Sequence, residues 1–161
     1  MKIRAAHPAD AGDIAALWNA MIRDTDATFT TQEKTIKGIS AMIAERQGAF
    51  WVAEAGGVNG FVTYGPFRNG PGYAATVEHT IILGQEAQGR GAGRGLMQQA
   101  IAGARAQGHH VMVAAISGAN PGAVAFHGKL GFTTVAQMAQ VGRKGGKWLD
   151  LILMQKIISG P

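Results

Sequence analysis

Apolar and polar positions recur with a readable period along most of the chain. Residues 3–6 read as a short first strand. Pro8 then stands at a helix start, where its missing N–H is not needed, and Asp10 and Asp13 suit the positive end of the helix dipole. Ile14, Leu17, Trp18, Met21 and Ile22 follow at the spacing of one amphipathic helical face. Ile36, Ile39 and Ile43 repeat that spacing on a second helix, which Gly48 ends. Residues 50–54 and 61–64 are aromatic and β-branched runs separated by Ala-Gly-Gly-Val-Asn-Gly, the pattern of a hairpin. A glycine-rich loop over residues 65–72 leads into a longer strand, residues 76–83. Along that strand Val77, His79, Ile81 and Leu83 share one face, and Thr76, Glu78, Thr80 and Ile82 the other.

A third helix over residues 93–107 carries Leu96, Met97, Ala100, Ile101 and Ala104 on one side and stops at Gly108. Residues 111–116 form a buried strand. Asn120 then supplies an N-cap, Pro121 the first helical position, and Gly131 the end of a short fourth helix. Two closing strands, residues 132–141 and 147–155, are joined by a turn over 142–146. The predicted order β-α-α-β-β-β-α-β-α-β-β is an α/β fold with a mixed central sheet flanked by helices, in one domain spanning residues 1–161.

Composition narrows the function. The 161 residues are 47% apolar and 16% charged, enough for a core and outside the disordered range. Without cysteine there is no disulfide, thiolate nucleophile or Cys-type zinc site, and the cytoplasm is the expected compartment. The apolar run at residues 111–116 is too short to span a bilayer, so no membrane partner is expected. His7, His79, His109 and His110 have no partners at metal-ligand spacing and read as satisfied or surface histidines; no metal is expected. The formal charge of +5 is uneven: residues 87–149 hold seven Lys/Arg and no carboxylate. That stretch should face an anion. Its basic residues are dispersed except for Arg143, Lys144 and Lys147, and aromatics are few, so a small phosphate-bearing ligand fits better than nucleic acid.

Glycine makes up 24 of the 161 residues, about twice the usual share of roughly 7%. Gly89, Gly91, Gly93 and Gly95 alternate between strand and helix beside Arg90 and Arg94. Backbone amides at a helix start point at an anion, glycine lets the chain approach phosphate oxygens, and arginine adds charged donors. The dinucleotide fingerprint G-x-G-x-x-G fails because Arg94 and Leu96 stand where glycine is needed, and the P-loop pattern fails after Gly89.

With Gln88, Gly91 and Gly93 the loop resembles the acetyl-CoA loop of the GCN5-related N-acetyltransferases, pattern Q/R-x-x-G-x-G/A. The element order is similar to that superfamily's over residues 2–157. Thr76-Val77-Glu78-His79, the strand from His110, Asn120 with His127, Gly131-Phe132 and Trp148-Leu149-Asp150 look like its phosphinothricin acetyltransferase branch, nearest its methionine sulfone and methionine sulfoximine acetyltransferases.

The resemblance implies an N-acetyltransferase that moves acetyl from acetyl-CoA to the α-amine of a small amino acid or analogue, directly in a ternary complex, as a homodimer. Ile81, Ile82 and Leu83 would meet the pantetheine arm and thioester, with the Leu83 amide as oxyanion donor. Gly89, Arg90, Gly91, Ala92, Gly93 and Arg94 would take the pyrophosphate, and Asn120 and Lys129 the rest of the cofactor. Glu78 would be the general base. His127 stands where the superfamily often has a proton-donating tyrosine, and could donate a proton or contact substrate. Arg68, Gly72, Tyr73 and Ala74 fall on the loop that grips the amino acid, and an arginine is a natural partner for an α-carboxylate. The chain departs from that branch at Gly70, Ala74 and Ala75. Acetylation of a peptide N-terminus or another amine, and non-catalytic binding of acyl-CoA or nucleic acid, are the alternative readings. Gly91→Val is expected to weaken acetyl-CoA binding by blocking the approach of the backbone to the pyrophosphate; isothermal titration would show it, and unchanged affinity would contradict the loop assignment.

Overall fold

The computed structural model describes residues 1–160. Seven strands form one sheet: β1 (Lys2–Ala5), β2 (Phe50–Glu54), β3 (Val58–Pro66), β4 (Thr76–Leu83), β5 (Val111–Ser117), β6 (Thr133–Lys144) and β7 (Lys147–Ile157), in the order β1-β2-β3-β4-β5-β7-β6. Four helices join it: α1 (Ala11–Asp24), α2 (Ile36–Glu45), α3 (Ala92–Ala106) and α4 (Pro121–Lys129). The element order follows the hydrophobic pattern throughout. Short 3-10 turns at Pro8–Asp10, Pro71–Tyr73 and Gln85–Ala87 are additions to it.

Strand alternation sends side chains into two cores. Phe50, Val52, Phe61 and Ile82 pack with Ile14, Trp18, Ile22, Ile39 and Ile43 of α1 and α2. Ala53, Val62, Tyr64, Val77 and Met112 pack with Leu96, Met97, Ala100 and Ala104 of α3 on the other face. Ile36 departs from the expected stripe: it occupies the first position of α2 and is 62% exposed. No helix among the described residues is long and apolar enough to cross a membrane.

Every neighbouring pair in the sheet is antiparallel except β4 and β5. That parallel pairing runs only from Thr76↔Val111 to His79↔Ala114. Beyond it β4 stays with β3 as far as Gly60↔Leu83, while β5 stays with β7 as far as Ser117↔Leu151. The two strands part in the middle of the sheet.

The closing hairpin is tighter than expected. Gly142, Arg143 and Lys144 continue β6, and Gly145 and Gly146 alone make the turn with φ of +57° and +75°, the left-handed pair of a two-residue hairpin. Gly65, expected in a loop, belongs to β3, where the Arg46 guanidinium fills the space a Cβ would need. Lys144 is only 9% exposed. Its Nζ donates to the Thr25 and Thr28 carbonyls at 2.7 and 2.8 Å and to Thr28 Oγ1 at 3.0 Å, while Lys147 pairs with Asp26. The hairpin therefore grips the segment between α1 and α2, and Phe29 of that segment lies on Gly142, 2.5 Å from where a Cβ would stand. Gly142→Ala is expected to lower stability by about 1–3 kcal/mol through overpacking. Gly128→Ala, in α4 with nothing within 4 Å of the added methyl, should be neutral or stabilising by up to about 1 kcal/mol. Urea midpoints of the two variants check both.

Candidate functional site

The parting of β4 from β5 builds a cleft, and main-chain parity decides what faces it. The bonds Gly84 N–H to Asn59 O (2.7 Å) and Phe67 N–H to Thr76 O (3.2 Å) flank the β3–β4 ladder. In an antiparallel ladder alternate residues turn their N–H and C=O to the partner. Glu78, Thr80 and Ile82 therefore bond β3, while Val77, His79, Ile81 and Leu83 turn theirs the other way. Val77 and His79 meet β5 there; on that side Ile81 and Leu83 pair with no strand among the described residues. Both line a cleft of about 680 Å³, whose other walls are Trp18 and Met21 of α1, Thr28 and Phe29 of the following segment, Ala114 to Ile116 of β5, and Asn120, Phe126 and His127 at α4.

Glu78 projects on the α1–α2 side of the sheet and is half-buried, in no ion pair among the described residues. Burial pushes its carboxyl above the usual range. Glu78, Ala115 and Leu151 also border a second hollow of about 680 Å³, which contains Phe67, Arg68, Met138 and Leu153. The carboxylate thus stands between two cavities, one presenting main-chain groups and one a guanidinium.

His127 is 3% exposed and His79 is 6% exposed, with Nε2 to Nε2 2.9 Å. His127 Nδ1 lies 2.7 Å from the Ala123 carbonyl. His79 Nδ1 is the one buried side-chain nitrogen or oxygen without a partner among the described residues. Burial lowers both imidazoles, that of His79 to about 3. The expected satisfied histidine is met at Nε2, which pairs with His127, and not at Nδ1. Its signal was in the sequence: alternation put it on the core face of β4, where an imidazole needs a polar partner.

Gly89 and Gly91 have φ of +72° and +78°, Gly91 caps α3, and nothing stands within 4 Å of a Cβ at either. The first intrahelical bond runs from Gly95 N to Gly91 O, which leaves the amides of Ala92, Gly93 and Arg94 unused, as helix starts do. Gly93 packs on Leu83 and Phe126, where a Cβ would lie 3.1 Å from each. Gln88, just before the loop, lines the cleft, so the loop stands at its Leu83 end. This open cradle fits a diphosphate.

Asn120 caps α4, its Oδ1 accepting from Ala123 N at 3.2 Å, and lines the cleft as well. Lys129 is exposed in the last turn of α4 and lines neither cavity. Gly72, Tyr73 and Ala74 are exposed on the turn after β3 and also line neither; Tyr73 lies under the Arg68 guanidinium, 5.9 Å from its ring centre. Thr28 and Phe29 are cleft residues absent from the sequence reading, and Trp18 and Met21, read there as the apolar face of the first helix, line the cleft as well. Four of the seven Lys/Arg in residues 87–149 are tied to other parts of the chain. Arg105 donates to Ile158 O at 2.5 Å, Lys144 and Lys147 hold the α1–α2 segment, and Arg143 stacks on Trp148 at 4.2 Å. Arg90, Arg94 and Lys129 are exposed and in no ion pair among the described residues. No group of three or more His, Cys, Asp or Glu side chains poised to hold a metal occurs among the described residues.

Known proteins share this arrangement. The L-methionine sulfoximine/L-methionine sulfone acetyltransferase of Salmonella typhimurium is 39% identical over 88% of this chain and 78% of its own. The phosphinothricin N-acetyltransferase of Streptomyces coelicolor is 28% identical over 94% of this chain and 92% of its own. The structure of yncA from Salmonella typhimurium, solved with its cofactor acetyl-CoA, superposes with a TM-score of 0.94 at 38% identity, covering 100% of this chain and 95% of that one. Residues 14–132 match the Acetyltransferase (GNAT) family, and the chain belongs to that family.

Proposed function

We propose that the protein, acting as one domain, is an acetyl-CoA-dependent N-acetyltransferase for the α-amine of a small amino acid or analogue of the methionine sulfone, methionine sulfoximine or phosphinothricin type. The observation that carries this reading is the half-buried, unpaired Glu78 carboxylate set between the open edge of β4 and the hollow that holds Arg68.

Acetyl-CoA, when bound, supplies an acetyl group activated as a thioester. The amides of residues 92–94, the open glycines at 89 and 91, and the Arg90 and Arg94 guanidiniums hold its diphosphate. Ile81 and Leu83 offer main-chain groups to the pantetheine arm, and the Leu83 amide is a fixed donor for negative charge developing on a carbonyl oxygen. Asn120 and Ile82 complete that wall. Arg68 holds the α-carboxylate of the acceptor, which brings its ammonium toward Glu78. Glu78 takes the proton that must leave before nitrogen can attack. With no cysteine in the chain, transfer is direct: the amine nitrogen would bond the acetyl carbon as the carbon–sulfur bond breaks, and coenzyme A would leave as the free thiol, its sulfur taking up the second proton lost from nitrogen. Val135, Met138, Val141 and Trp148 are large exposed apolar side chains on β6 and β7, the edge of the sheet that a homodimer would cover.

Release of free thiol from acetyl-CoA, measured with those analogues, ordinary amino acids and short peptides, tests the reading. Turnover with the amino-acid group is expected; turnover with peptides alone would move the acceptor class, and none with any amine would remove the activity. Glu78→Gln should lower kcat by about 10²–10⁴ with acetyl-CoA affinity unchanged. Glu78 accepts a proton only when ionised, and burial raises its pKa. Turnover should therefore fall, as pH drops, through a midpoint above the ordinary carboxylate range, and that limb should vanish in Glu78→Gln.

A further inference from the structure

His127 and His79 lie 48 residues apart in sequence and share a contact of 2.9 Å in the cleft wall. A carbonyl oxygen can only accept, so the Ala123 carbonyl, 2.7 Å from His127 Nδ1, places a proton on that nitrogen. In a neutral ring His127 Nε2 is then bare and accepts. The donor must be His79 Nε2–H, which leaves His79 Nδ1 unprotonated. That is the nitrogen found without a partner. The opposite polarity, with the Val113 carbonyl drawing a proton toward the His79 ring, would make His127 a buried cation protonated at both nitrogens, which is unfavourable.

The surroundings favour the neutral chain. Phe126 and Phe132 stand edge-on to His127 with ring centres at 5.1 and 5.3 Å, and Phe132 lies 5.6 Å from His79. β5 brings no ionisable side chain to the pair. β3 brings Tyr64, opposite His79, with its hydroxyl pushed up by burial and its ring edge-on to His109. Glu78 projects on the other side of β4, Lys129 is exposed at the end of α4, Lys156 of β7 is held by the Leu130 carbonyl, and Asp150 of β7 is bound by Gln137 and Gln140. None forms an ion pair with either imidazole.

We propose that His79 is a positioning residue: by donating Nε2–H to His127 Nε2 it locks that imidazole, neutral and protonated at Nδ1, in one orientation in the wall of the cleft. His127 then serves the site as a fixed neutral surface, both its nitrogens being engaged, and its proton points into α4. The assignment of a role to His127 in turnover rests on the acetyltransfer reading; the protonation pattern does not.

Full-length wild type, His79→Phe and His79→Gln separate the two. Phenylalanine keeps the ring volume without a donor, whereas the glutamine amide can still donate to His127. In long-range ¹H–¹⁵N spectra, wild-type His127 should show a protonated Nδ1 and a bare Nε2, and His79 the reverse, both neutral near pH 7. His79→Phe removes a bond that stabilises neutral His127, so His127 should titrate at higher pH. kcat should fall by at least about tenfold, short of the roughly 10²-fold that a 1 Å misplacement can cause, with KM for acetyl-CoA unchanged. His79→Gln should restore both readouts. A wild-type His127 protonated at Nε2, identical His127 titration in His79→Phe and wild type, or a glutamine variant as defective as the phenylalanine one would each overturn the proposal. Should wild type release no thiol with any amine, the enzymatic reading fails while the spectra still decide the pair; should His79→Phe not fold, the wild-type and His79→Gln spectra decide it.

Discussion

The brevity of the β4–β5 pairing governs everything else in the molecule. Four residues on each strand are matched, and past His79 and Ala114 each follows its other neighbour. Elsewhere in a sheet, main-chain groups left without a partner are a liability. Here they line a cavity where a ligand can supply the missing bonds. The same parting leaves room for α4 to bring His127 and Phe126 against β4, and Gly93 is small enough to let the start of α3 close on Leu83. A sheet paired to its ends would have neither cleft nor donor.

Around that gap the protein sorts charge by position. The carboxylate of Glu78 is in no ion pair among the described residues, and burial makes it more basic than its kind. The imidazoles across the strand are driven the other way, toward neutrality. Part of the positive charge that the composition suggested would face a ligand is tied down: the guanidinium of Arg105 and the ammoniums of Lys144 and Lys147 hold pieces of chain together. What remains for an anion is concentrated where α3 begins. Electrostatic attraction to the cofactor is thus local, resting on helix-start amides and two arginines and hardly at all on the net charge of +5.

Much of this was legible in the residues. Periods of 3.6 and 2 marked the first three helices and β4, each of which buries one face, while the fourth helix was read from its ends at Asn120 and Gly131 and β5 from a continuous apolar run. Alternation along β4 correctly separated Glu78 from His79. What could not be read depends on contacts between distant segments. The length of the β4–β5 pairing depends on how β5 follows β7, and Ile36 is exposed at the first position of α2. Nothing near Lys144 in sequence hints that its ammonium is buried among carbonyls 116 to 119 positions away. The histidine pair, and the share of the cleft wall taken by Thr28 and Phe29, are hidden for the same reason. On the turn after β3, Arg68 reaches the hollow beside Glu78 while its neighbours Tyr73 and Ala74 stay outside it, a difference of side-chain direction that a loop pattern does not carry.

The grip of the closing hairpin on the α1–α2 segment has a consequence for how the protein is made. Thr28 and Phe29 reach their place only against Gly142 and Lys144, and Thr28 and Lys144 are 116 positions apart. The core of β2, β3, α1 and α2 can condense while synthesis continues, but the wall of the cleft is seated last. Contacts of such long range are slow to form because the loop they close is costly in entropy. The cleft wall at Thr28 and Phe29 is consequently seated only once residues 142–144 have been made.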